Sequence, residues 1–254
     1  MPRDWLKAAA RLIVPVSTRR WVEVQTQRFT RCSPLGKVDF GDLRRLSPIS
    51  KIFGLDRGLC IDRYYIEKFL IEFLADIKGE VLEVGDDRYT KKFGGARVAR
   101  CEVLHVQEGQ PTATVVTDLS RDHVLGSDRF DCVLCTQVLP FIYDFPAAIQ
   151  CLYRILKPGG VLLATLAGIS QVSRFDMERW GDYWRFTTLS TRRLFDEVFP
   201  PENVHVKAYG NVLSSVAFLH GIAADELTEN EMNYHDPDYQ LLIAVRGIKP
   251  AATL

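Results

Sequence analysis

Between Ile61 and Ile77 the apolar positions fall four apart, at Ile61, Tyr65, Phe69, Phe73 and Ile77, with Tyr64, Leu70 and Leu74 widening the stripe. This period matches one face of a core-facing helix, so a helix is predicted directly ahead of GEVLEVGD. The apolar runs that follow are shorter: VLEV at 81–84, then ARVARCEVLHV, ATVVTDL, FDCVLCTQVL and GGVLLATLA. Short β-rich runs separated by loops and helical stretches predict a mainly parallel sheet with helices on both faces. One such helical stretch, FPAAIQCLYRIL, aligns Ala148, Leu152 and Ile155, and Pro158-Gly159-Gly160 stops it and turns the chain into the next strand. Farther on, TTLSTRRLFDEVF reads as a helix with a Ser or Thr cap, and NVHVKAYG and DYQLLIAVRGI read as closing strands. The count is seven strands in an α/β fold. The helix-bearing link NVLSSVAFLHGIAADEL allows the last strand to lie antiparallel between its neighbours.

Residues 1–55 lack a sustained apolar period and carry Pro15, Pro34 and Pro48, so they are expected to form an N-terminal extension to a single domain at 56–254. The start, WLKAAARLIVPVSTRR, mixes basic and apolar residues. Lys7 and Arg11 interrupt the apolar stretch and no small-residue cleavage site follows, which argues against an export signal. A surface helix or a weak peripheral membrane contact are the two readings left for it.

Charge narrows the partners. Lys plus Arg and Asp plus Glu each number 32, so no global positive field exists to gather nucleic acid. No apolar run approaches the roughly 20 residues of a membrane span. Six scattered cysteines fit reduced thiols and a cytoplasmic location. Cys132 and Cys135 form a C-x-x-C, but on a strand residues three apart face opposite sides, so packing is expected rather than a shared disulfide or metal. No metal site is expected. Oligomeric state is not legible.

In open α/β sheets ligands bind at the carboxyl ends of strands, where strand order reverses. The first strand exits through Glu83-Val84-Gly85-Asp86-Asp87, where Gly85 lets backbone approach a ligand and the acids can receive a cationic amine. This segment resembles motif I of class I S-adenosylmethionine-dependent methyltransferases, E/D-x-G-x-G-x-G, with Asp87 and Tyr89 standing where the family has its second and third glycines. The block FDCVLCTQVLPFIYDFPAAIQCLYRILKPGGVLLAT is similar in order and spacing to the same family's fourth strand, fourth helix, LKPGG turn and fifth strand. The resemblance implies a Rossmann-like seven-stranded sheet with an antiparallel last strand, and S-adenosylmethionine as cofactor. It implies that Asp118 meets the adenine amine, the Leu119 backbone the ring, and Thr136 and Gln137 the methionine end. The acidic residue that the family keeps at the end of its second strand is absent from LHVQEG. His105 and Glu108 are the two candidates to replace it.

The loop LAGISQVSRFDMERWGDYWRFTTLS occupies the place where such enzymes hold their acceptor. Trp180, Tyr183 and Trp184 offer flat faces for a sugar ring, and Asp182 and Arg185 offer polar grips. Asp182 is the first candidate general base toward a hydroxyl, and His235, in NYHDPD, the second. Methyltransferases with a similar WRFT block occur among polysaccharide-assembly proteins. The resemblance therefore implies O-methylation of a sugar or glycan. The alternatives are a small-molecule methyltransferase, or a methyltransferase-like partner in glycan assembly that has lost turnover. Arg63 or Tyr64, ahead of motif I, is a candidate lid residue. A nicotinamide enzyme is disfavoured because G-x-G-x-x-G is missing.

Overall fold

Seven strands lie in one sheet in the order β3-β2-β1-β4-β5-β7-β6, in a computed structural model that describes residues 15, 18, 20–22, 36–121 and 123–251. The strands are β1 (Gly79–Val84), β2 (Val98–His105), β3 (Val115–Val116), β4 (Phe130–Thr136), β5 (Leu156–Ala167), β6 (Val204–Tyr209) and β7 (Leu242–Ile248). Strands β1 to β5 pair in parallel, and β7 runs antiparallel between β5 and β6. This is the Rossmann-like methyltransferase arrangement expected from the sequence.

The reason for near-continuous apolar strands is visible in their alternation. Leu82, Val133, Cys135, Leu162 and Val245 enter one core, while Val81, Cys132, Leu134, Leu163 and Ala244 enter the other. Both faces are covered, so neither set of alternate positions is polar. Helices α2 (Phe145–Ile155) and α4 (Thr188–Asp196) pack on the first face through Ile149, Leu152 and Phe195. On the second face lie α1 (Ile61–Glu72) and α5 (Val212–His220), with Ile61, Tyr65, Phe69 and Phe218 in the core. Fully burying one such side chain stabilises the fold by about 1.5–3 kcal/mol.

Local chemistry fixes the element ends. Asp144 accepts from the Ala147 N–H at the start of α2, and Thr187 and Ser190 form a reciprocal cap on α4. The helix α2 stops at Ile155, earlier than Pro158. Leu156 already pairs with Phe130, and the register shifts before Cys132 pairs with Val161. A side chain at Gly160 would meet the Lys157 and Phe130 carbonyls at 2.8 and 2.9 Å, so KPGG forms an irregularity within β5 rather than a loop ahead of it. The run ATVVTDL contributes only two strand residues, at the sheet edge.

The chain divides into two compact units, Met1–Leu46 and Ser47–Leu254. The second includes 47–55, which pack against α5: Ile49 and Ser50 N–H both donate to the His220 carbonyl, and Phe53 lies 5.8 Å from Phe218. In the first unit, Gly41–Leu43 form a single turn. The basic apolar stretch at 5–20 falls largely outside the described residues. Among the described residues no helix is long and apolar enough to cross a membrane. No disulfide is formed among the described cysteines, and Cys132 and Cys135 sit in opposite cores as strand geometry requires.

Candidate active site

The carboxyl ends of β1 to β5 open into one cavity of about 1510 Å³. Small-molecule sites usually span roughly 300–1,000 Å³, so this one has room for two ligands side by side.

At the β1 exit, Glu83 is 2% exposed and its two oxygens accept the N–H groups of Tyr89 (3.1 Å) and Thr90 (2.7 Å). Burial pushes its carboxyl up to about 7, against the opposing pull of the Thr90 and Tyr89 donors. Glu83 thus ties down the loop that it begins. Gly85 adopts φ +101°, a conformation that favours glycine, and a Cβ there would meet nothing within 4 Å. Its open side is the cradle that a cofactor requires. Glu83, Val84, Gly85 and Asp86 all line the cavity. Asp87 does not, and its carboxylate pairs with Lys91 at 2.7 Å.

Tyr89 explains how the turn closes without the usual glycines. Its ring is buried and stacks on Phe93, and its hydroxyl lies 3.4 Å from Arg63 Nη1. A single π-helical turn, Thr90–Gly94, follows. The side chain at position 89 is therefore mostly buried against Phe93 and Arg63 and forms part of the cavity wall. Arg63 stays firmly charged: burial works against it, but Asp62 and Tyr89 outweigh that effect. Tyr64 bonds Asn233 instead, away from the cavity lining.

At the other strand ends, Asp118, Leu119, Thr136 and Gln137 line the cavity. Asp118 accepts from the Ser120 N–H and hydroxyl through Oδ1 (2.8 and 2.7 Å). Gln137 holds φ +56°, anchored by its N–H to the Thr165 carbonyl at 2.9 Å. Such a conformation in a non-glycine residue costs energy and clusters at ligand sites. His105, at the end of β2, lines the cavity, whereas Glu108 does not. The Gln107 backbone engages His105 Nδ1 at 3.0 Å, and among the described residues Nε2 has no partner.

The loop after β5 is a tied knot. It contains the short helix α3 (Arg174–Met177), capped by Ser173 in an S-x-x-D pattern that is legible in SRFD. Trp180 lines the cavity and meets His105 edge-on at 5.7 Å. Tyr183 lines it too, over Gly181, whose φ is +99°. Trp184 does not: it packs on Phe145 and gives its Nε1 hydrogen to the Tyr143 carbonyl. Asp182 and Arg185 line the cavity but are locked together. Burial alone would raise Asp182, yet hydrogen bonds from Arg185 and the Ser173 N–H hold it below the ordinary carboxylate range. His235 is exposed beyond α6 (Glu229–Asn233) and lies outside the lining.

Residues 81–164 match the family model described as a methyltransferase domain. Among solved structures, the [4+2]-cyclase SpnF is 15% identical, with 77% of this chain and 85% of that chain covered and a TM-score of 0.51. A SAM-dependent methyltransferase from Archaeoglobus fulgidus is 10% identical, with 74% and 94% covered and a TM-score of 0.50. The N-methyltransferase NodS from Bradyrhizobium japonicum WM9, in complex with S-adenosyl-l-homocysteine, is 15% identical over 80% and 95%, with a TM-score of 0.48. No curated protein matches. The likeness to SpnF and to the Archaeoglobus protein shows the fold, and the family match at the strand ends that build the site shows the class. The chain carries a class I, Rossmann-like methyltransferase domain. It is an S-adenosylmethionine-dependent methyltransferase, and S-adenosylmethionine is its cofactor.

Proposed function

We propose that the enzyme methylates a hydroxyl of a sugar or glycan of the kind handled in polysaccharide assembly. The observation that carries this reading is the continuity of one cavity from Gly85 and Asp118 to the aromatic faces of Trp180 and Tyr183. Flat aromatic faces suit the apolar face of a sugar ring. In this reading Gly85, Asp118, Leu119, Gln137 and His105 hold the cofactor, with His105 donating from Nε2 to a ribose oxygen where relatives use an acid. When bound, the cofactor supplies a methyl group on a positively charged sulfur.

The chain's own share of the work is alignment. Trp180 connects the two halves, since it touches His105 on one side and Phe175 on the other. Asp182 serves by holding the acceptor loop, because a carboxylate paired with Arg185 and kept acidic is a weak proton acceptor. Alignment of this sort supplies several kcal/mol of barrier reduction.

The test is transfer of labelled methyl from S-adenosylmethionine to a panel of nucleotide sugars, oligosaccharides, phenols and amines. Label in the sugar fractions, lost in Trp180→Ala with cofactor affinity kept, is the expected result. Label confined to phenols or amines would refute the acceptor class.

A further inference from the structure

Three basic side chains, Arg63, Arg88 and Lys92, belong to the part of the cavity wall built by α1 and the β1 exit. Two of them are already paired, Arg88 with Asp86 and Lys92 with Glu67. Arg63 makes no ion pair among the described residues. Of its five N–H donors one reaches a partner there, the Tyr89 hydroxyl at 3.4 Å. Its place on the helix is also against the grain: it is the third residue of α1, where the helix dipole repels a cation and attracts an anion. A part-buried guanidinium at that end of a helix, facing a cavity, is a receiver for an anionic group.

The acids of the same wall divide in the same way. Both oxygens of Glu83 are taken by backbone N–H groups, and Asp86 and Glu67 are held by their cations. Asp62 is left. Its Oδ1 accepts the Arg63 N–H at 2.8 Å, and no cation pairs with its carboxylate among the described residues. Consecutive residues of a helix do not face each other, so Asp62 and Arg63 present opposite charges to the cavity without closing on one another. One anion beside one cation is complementary to a zwitterion, not to a net charge.

The cofactor carries such a group, since its amino-acid end bears an ammonium and a carboxylate on one carbon. We infer that Arg63 receives that carboxylate and Asp62 that ammonium, so that the start of α1 holds the cofactor by its amino-acid end. This inference rests on the reading that His105 and Asp118 hold the adenosine, which leaves the amino-acid end for the wall built by β1 and α1.

Calorimetric binding to the full chain tests it, with S-adenosylmethionine, decarboxylated S-adenosylmethionine, S-adenosylhomocysteine, and 5′-methylthioadenosine, which lacks the amino-acid end. The wild-type chain should bind the decarboxylated compound at least roughly tenfold more weakly than S-adenosylmethionine, the loss expected for charge-assisted hydrogen bonds to one carboxylate. Arg63→Gln should bind those two compounds alike. Arg63→Gln and Asp62→Asn should each lose at least roughly tenfold in affinity for S-adenosylhomocysteine and keep their affinity for 5′-methylthioadenosine. Equal wild-type affinity for S-adenosylmethionine and its decarboxylated form, a result that needs no variant to fold, would overturn the inference. So would variants that bind S-adenosylhomocysteine like wild type, or that lose it and 5′-methylthioadenosine equally. Asp118→Asn separates the two readings. If it leaves 5′-methylthioadenosine binding unchanged while Arg63→Gln loses S-adenosylhomocysteine alone, only the adenosine reading is defeated. If it weakens 5′-methylthioadenosine while Arg63→Gln binds S-adenosylhomocysteine like wild type, only this proposal is defeated.

Discussion

Both carboxylate oxygens of Asp182 receive the Arg185 guanidinium, at 2.5 and 2.9 Å, and one of them also takes the Ser173 N–H at 2.8 Å. Arg185 in turn donates to the Gln171 and Trp184 carbonyls. The pair therefore pins both ends of the segment that carries Trp180 and Tyr183. Asp182→Asn is expected to slow methyl transfer by roughly ten- to a hundredfold through loosened alignment, with cofactor affinity unchanged. The acid limb of the pH–rate profile should keep its position. A profile whose acid limb vanishes in the variant would make Asp182 the base and defeat the positioning account.

Glu83 carries the pH dependence of the β1 exit. Its carboxyl is pushed from an ordinary 4.5 up to about 7, chiefly by burial. The folded chain thus binds this proton more tightly than the unfolded chain. The resulting stabilisation is complete below the unfolded value and is lost as pH rises through the folded one. Melting temperature is expected to fall from about pH 5 to about pH 8, and Glu83→Gln should flatten that fall. The variant should also be less stable at the acid end, because an amide cannot accept both the Tyr89 and Thr90 N–H groups. Parallel melting curves for the two proteins at every pH would show that Glu83 does not titrate in this range.

The strands were legible because burial on both faces leaves them apolar throughout, as in Val81-Leu82 and Leu162-Leu163, where neighbours feed opposite cores. The edge strand was legible as an element but not in extent. Only Val115 and Val116 of ATVVTDL pair, because their single neighbour β2 ends at His105. Site residues at strand ends followed from topology, which places Gly85, Asp118 and Gln137 around one opening. Loop residues did not follow. Trp180 and Trp184 belong to the same WGDYW, and which of them faces the cavity depends on a left-handed turn at Gly181 that composition does not specify. Tyr89 occupies a glycine position of the motif, and only the structure shows that its ring stacks on Phe93 as part of the cavity wall. The partner of Asp182 was within sight in DYWR. What the sequence could not give was its effect, since an acid near a reaction centre reads as a base until its oxygens are seen to be taken.

Cys132 and Cys135 are expected to stay inert. Burial pushes the Cys135 thiol up to about 12 and Cys132 further still, and the strand sends them into separate cores. A thiol with so little thiolate reacts slowly. Mass spectrometry after mild oxidation of the folded chain should find both reduced, with modification appearing only in denaturant. A 132–135 disulfide in native protein would contradict the strand geometry.

Asp118 lines the cavity and is the residue proposed to meet the adenine amine, and its Oδ1 is committed to Ser120. S-adenosylhomocysteine at about 100 times its dissociation constant should add about 2.7 kcal/mol to native-state stability. Asp118→Asn keeps an oxygen for Ser120 and replaces the other acceptor with a donor, so this increment should shrink while the unliganded melting temperature changes little. An unchanged increment would move the adenine contact elsewhere.

Gly181 decides where Tyr183 stands. Its φ of +99° is costly for any side chain, and a Cβ there would overlap the Tyr183 ring directly. Gly181→Ala must therefore either strain the turn, at about 1–3 kcal/mol, or push the ring off the cavity wall. Because Asp182 and Arg185 tie down the flanks, the ring is the part free to move. The expected outcome is a raised KM for the acceptor with a small change in kcat and no change in S-adenosylhomocysteine affinity. Tyr183→Ala should reproduce the KM effect without the strain, so its melting temperature should exceed that of Gly181→Ala. If Gly181→Ala alters kcat alone while Tyr183→Ala is silent, the ring does not contact the acceptor, and the aromatic wall is reduced to Trp180.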